Sequence, residues 1–196
     1  MEAEKQTALV PFITPTPGQI HLVVSHSSTP EKMLQFVSTV SLHQRLIILD
    51  CGNRSNMYTV AKLIRPFTPD PVGILNRIHL SRAFTCIQVL AMLKSTLALA
   101  PQEPLVIMDL LTTFLDEDLA LPDARALLAR SLDYIQGLSQ HAAVVISMRP
   151  LPPLAQNRAV LEEDLRAFAG TIWEDAGPQP YSALPASTAL QPALFA

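Results

Sequence analysis

The chain has 196 residues, of which 49% are hydrophobic and 16% charged, with a formal net charge of −3. That length suits one domain with a sizeable core, and the composition excludes a disordered or collagen-like chain. The negative balance argues against the basic face that nucleic acid requires, and no apolar run approaches the roughly 20 residues of a membrane span.

Residues 1–17 carry no periodic pattern, and Pro11, Pro15 and Pro17 mark an extended N-terminal arm. Residues 20–25 (IHLVVS) read as a strand rich in β-branched and apolar residues. The segment HSSTPEK follows, in which Thr29 suits a helix N-cap and Pro30 and Glu31 suit the first turn. Met33, Leu34, Val37 and Val40 then recur at helical spacing. Residues 45–50 (RLIILD) read as a buried strand that ends in an acid, broken by Gly52 and Asn53. Ser55 is placed to cap a helix with Met57, Val60, Ala61 and Ile64 on its apolar face, closed by Pro66 and Pro69.

Residues 76–83 (NRIHLSRA) form a weaker strand, and the helix after it carries Ile87, Leu90, Leu93 and Leu97 on one stripe. Residues 105–109 (LVIMD) have four apolar residues and then a carboxylate, the pattern of a strand buried on both faces. Residues 110–121 read as a loop, apolar and then acidic. Pro122 and Asp123 open a helix whose core face is Leu127, Leu128, Ser131, Ile135 and Leu138. Residues 142–148 (AAVVISM) are a further buried strand, residues 154–169 a helix, and residues 171–174 (TIWE) an edge strand. From residue 176 to residue 196 the composition is that of a disordered tail. The folded core is therefore expected over residues 18–175. Strand and helix alternate with short connections, which predicts an α/β domain with a mainly parallel sheet and helices on both faces.

The two cysteines, Cys51 and Cys86, are unclustered, and the acidic start MEAEKQ lacks a secretory h-region. Reduced thiols and a cytoplasmic location are the expectation. The five histidines show no metal-ligand spacing, and His21 and His79 are expected to be half-buried strand residues. His26 beside serines lacks a G-x-S-x-G elbow, so a hydrolase is not indicated.

The segments LIILDCGN, RIHLSRAFTCIQVLAML, LVIMDLLTTFL and AAVVISMRP, in that order, resemble the core strands of the RecA/RadA recombinase superfamily over about residues 18–174. The resemblance implies a three-layer αβα RecA-like P-loop NTPase fold. In such NTPases the acid matching Asp109 holds the magnesium water shell. The phosphate loop, G-x-x-x-x-G-K-[ST], should fall on residues 26–33. Lys32 stands at the lysine position, but His26 and Glu31 replace both glycines, Met33 replaces the magnesium-binding hydroxyl, and Pro30 removes a backbone donor. The segment after Asp50 has no glutamate to act as base. The vestigial nucleotide-contacting set is thus Ser28, Thr29, Lys32, Asn53, Asp109 and Arg149. Lys32 is otherwise expected to be a solvated first-turn lysine, and Arg149 a surface arginine.

The resemblance implies a catalytically inactive, recombinase-paralogue-like accessory or scaffold protein in DNA recombination or repair. It would need neither ATP nor magnesium and would bind DNA weakly or indirectly, since Asp116, Glu117 and Asp118 repel phosphate. Its expected partner is another RecA-like chain or a copy of itself, with Phe12 in the arm as anchor. The alternatives are a nucleotide-binding ATPase with an atypical phosphate loop, and an unrelated doubly wound domain with a small-molecule ligand. No membrane contact is expected.

Overall fold

The structure is a computed structural model that describes residues 16–25 and 29–174, with Thr29 described by its backbone alone. The proposed tail of residues 176–196 and all but Thr16 and Pro17 of the arm lie outside the described residues.

Among the described residues six strands form one sheet: β1 (Ile20–Val24), β2 (Leu46–Asp50), β3 (Ile78–Arg82), β4 (Leu105–Met108), β5 (Val144–Met148) and β6 (Thr171–Glu174). Their order is β3-β2-β4-β5-β1-β6 and every neighbouring pair is parallel. The mainly parallel expectation is met by a wholly parallel sheet. All strands therefore end on one edge, where open α/β sheets carry their ligand crevices.

The helices lie in two layers. Leu105 and Ile107 of β4 share a core with α4 (Cys86–Ala98), α5 (Leu121–Ser139) and α6 (Ala159–Phe168). Val106 and Met108 share the other core with α1 (Thr29–His43), α2 (Met57–Ile64) and α3 (Pro71–Leu75). The period-two alternation of a strand thus feeds both layers from one unbroken apolar run. Each of the four residues of β4 is at most 1% exposed.

Several local expectations are corrected. Asn56, not Ser55, caps α2: its Oδ1 accepts the Tyr58 N–H at 3.0 Å. α2 does end at Ile64, through a 3-10 turn over Arg65–Phe67 and an extended Thr68, but a short helix not expected from the sequence follows: Asp70 accepts the Gly73 N–H and Pro71 opens α3. The core stripe of α4 is Cys86, Val89 and Leu93, rotated from the expected one, and Ile87 is 67% exposed. The loop after β4 begins with a 3-10 turn over Leu110–Phe114. The helix expected over residues 154–169 is split into a 3-10 segment, Pro153–Arg158, and α6.

Candidate functional site

Asp109 is the first residue beyond β4 and turns the chain off the sheet. Its backbone is left-handed, φ 53° and ψ 48°, a region that costs L-residues about 1 kcal/mol and that Asn and Asp tolerate best. Its N–H donates to the Ser147 hydroxyl of β5 at 3.0 Å. Gly52, in the turn after β2, lies directly against its side chain. A Cβ at position 52 would stand 2.6 Å from the Asp109 Cβ and 2.8 Å from Oδ2, so only glycine admits this approach.

The Asp109 side chain is 3% exposed, and neither oxygen accepts a hydrogen bond from any described residue. Two guanidiniums face it: the Nε atoms of Arg149 and Arg54 lie 3.4 Å and 3.8 Å from Oδ2. Burial pushes the carboxyl above its ordinary range, the Arg149 and Arg54 guanidiniums pull it back, and Asp50 adds to the rise.

Asp50, one strand away, is the opposite case. It is fully buried and accepts the Arg54 N–H at 3.1 Å, the Ser55 N–H at 2.8 Å and the Ser55 hydroxyl. The Arg82 Nε lies 3.4 Å from the same carboxylate, and Arg82 also donates to the Ser55 carbonyl at 2.8 Å. Asp50 thus organises the turn of residues 51–55 with its lone pairs occupied. Its Ser55 contact is why that hydroxyl does not cap α2. Cys51 between them is a buried free thiol, and burial together with Asp50 and Asp109 raises its pKa, which suppresses the reactive thiolate.

Compared with family models and with curated proteins, the sequence matches none.

Of the residues singled out in the sequence, the structure brings together Asp109 and Arg149, with Asn53 nearby. Asn53 is exposed, left-handed at φ 53°, and shares a shallow depression with Arg54 and Arg82. Lys32 is not part of this group. It is only 9% exposed, against the expectation of a solvated lysine, and its Nζ lies 5.1 Å from the centre of the Trp173 ring. Trp173 is on β6, three strands from β4, or about 14 Å at the usual strand spacing. The cation–π contact and the buried aliphatic stem contribute to accommodating a lysine there. Ser28, the Thr29 side chain and Phe12 lie outside the described residues.

Arg54 and Arg82 were not anticipated from the sequence. Each follows or ends a strand, which is the available signal, but their pairing with acids on neighbouring strands depends on strand order. Arg158, in the proline-rich segment after β5, is 6% exposed. It donates to the Phe114 carbonyl at 3.0 Å and to the Leu119 carbonyl, and so clamps the ends of the segment between them. The histidine expectation is also corrected. His21 is 8% exposed with Nδ1 2.5 Å from the Thr171 hydroxyl, whereas His79 is exposed. Among the described residues no group of three or more His, Cys, Asp and Glu side chains could hold a metal ion, and no helix is long and apolar enough to cross a membrane.

Proposed function

We propose that the chain is a RecA-like core that acts through protein contacts and does not hydrolyse nucleotide. The carrying observation is the Asp109 carboxylate, enclosed between the guanidiniums of Arg149 and Arg54 and backed by Gly52. A carboxylate that serves a magnesium ion needs an accessible oxygen and a site open to a second positive charge. Here the oxygens are buried and positive charge already stands at 3.4 Å and 3.8 Å. Arg54 also lies in the turn where the resemblance calls for a general base, and a guanidinium cannot take a proton from water.

The RecA-like assignment rests on the resemblance. It is supported by the single sheet edge that gathers the carboxyl ends of β1, β2, β4 and β5. Protein contact is supported by large apolar side chains left on the surface: Tyr58, Phe67, Phe84, Ile87 and Leu154 are each at least 65% exposed. Recombination or repair is the context the resemblance supplies, with another RecA-like chain or a second copy as the partner class.

The test is steady-state phosphate release from ATP with magnesium, with and without single-stranded DNA, beside a fluorescent-nucleotide titration. No turnover above background is expected. Turnover that Asp109→Ala abolishes would overturn the reading and favour an ATPase with an atypical phosphate loop.

A further inference from the structure

Two adjoining hollows, of about 440 Å³ and 520 Å³, run between the segment after β4 and the proline-rich segment after β5. Leu115 and Pro152 line both, so the hollows form one cleft. Its walls are stiff on both sides. Arg158 ties the Phe114 and Leu119 carbonyls, fixing the first wall, and Pro150, Pro152 and Pro153 restrict the second. A cleft formed before its ligand arrives loses little entropy on binding.

The lining is mainly apolar, with Leu111, Leu115 and Met148 on the floor and Leu154 on the rim, 88% exposed. Its ends differ in charge. Arg149 stands at one end, 40% exposed, with its Nε directed at Asp109. Glu117 lines the other end, between the exposed Asp116 and Asp118, beside the buried Arg158, whose guanidinium donates to the Phe114 and Leu119 carbonyls. Three adjacent carboxylates repel a nucleic-acid backbone and attract lysine or arginine.

We propose that this cleft docks an extended segment of a partner protein. In that segment a large apolar side chain sits between Leu115 and Leu154, and a neighbouring lysine or arginine faces residues 116–118. Arg149 offers N–H donors to the segment's main-chain carbonyls. The proposal rests on the protein-contact reading and names the chemistry of the partner.

A randomised peptide library panned on the full chain tests it, followed by fluorescence anisotropy with the enriched peptides and with an oligo-dT strand. The expected enrichment is an aromatic or large aliphatic residue within a few positions of lysine or arginine. Leu154→Glu and Glu117→Lys, both at exposed positions, should leave the melting temperature unchanged and weaken binding about tenfold or more, as loss of an anchor or a charge partner does. Glu117→Lys combined with Asp116→Lys should turn the preference toward acidic peptides. Absence of enrichment, enrichment of acidic peptides by the unmodified chain, binding indifferent to both substitutions, or oligo-dT competing at the same site would each overturn the cleft. ATP turnover is measured separately, so failure of the cleft without turnover leaves the non-hydrolytic core standing.

Discussion

Replacing Asp109 by asparagine should stabilise the protein. The carboxylate is 3% exposed and unbonded, and burying an ionised group without hydrogen bonds costs several kcal/mol after relaxation. Two ion pairs offset part of this. Their guanidiniums are 40% and 47% exposed, so solvent screening holds each pair near the surface range of about 1 kcal/mol or less. Ionised Asp109 is therefore a net cost of roughly 1–3 kcal/mol. Asparagine removes the charge, keeps the shape, and suits the left-handed backbone better than any residue except glycine. Its amide remains buried, which returns about 1 kcal/mol of cost. A gain near 1 kcal/mol remains, or about 2–4 °C in melting temperature for a domain of this size.

The pH dependence distinguishes this cause from others. A carboxyl raised above 3.8 in the folded state gives stability that is fully present below 3.8 and lost as pH rises through the folded value. The advantage of Asp109→Asn should thus be largest near neutrality and shrink in acid. Urea unfolding from about pH 4 to pH 8 measures it. A variant less stable than the unmodified protein at neutral pH, or a difference that does not change with pH, would refute the reasoning.

Arg158→Ala should destabilise by roughly 2–3 kcal/mol, because a buried and a partly buried carbonyl lose a charged donor, and hydrogen exchange should rise first in residues 110–119. His21 gives the opposite pH sign to Asp109. Burial lowers its pKa below 6.5, so its contribution is present above 6.5 and falls as pH drops through the folded value; His21→Gln should flatten the loss of urea stability between about pH 7 and pH 5.

The strands β1, β2, β4 and β5 were legible because a strand covered on both faces is a short, unbroken apolar run. Asp109 and Arg149 were legible because each directly follows such a run. The stripe of α4 was misread because Ile87 and Cys86 are adjacent and both apolar, and periodicity alone does not say which one turns inward. The helix α3 was hidden by prolines that read as punctuation, although Pro71 after Asp70 is a helix start. Lys32 was misread because its aromatic partner belongs to the last strand, and nothing near Lys32 in sequence announces it. Arg54 could not be assigned for a related reason: its pairing with Asp109 exists only because β2 and β4 are neighbours while β3 lies outside them.

Asp50 and Asp109 end adjacent strands and carry the same side chain, yet their surroundings differ in kind. Asp50 accepts two N–H groups and a hydroxyl and also has an arginine beside it, and it holds a turn together. The Asp109 carboxylate holds nothing together by hydrogen bonds, and the residue requires a glycine opposite and occupies a left-handed backbone region that costs L-residues energy. Strain and uncompensated burial of this sort cluster where a fold does something other than support itself. What Asp109 does have is position: its negative charge draws Arg54 and Arg149 to the sheet edge while leaving each guanidinium half open to solvent. On the proposed RecA-like reading, the acid that would serve a cation in a hydrolase serves in this chain as the fixed counter-charge for two cationic side chains. That gives the edge of the sheet a directional set of N–H donors beside an apolar cleft, which is the basis on which we propose a peptide rather than a magnesium ion as its ligand.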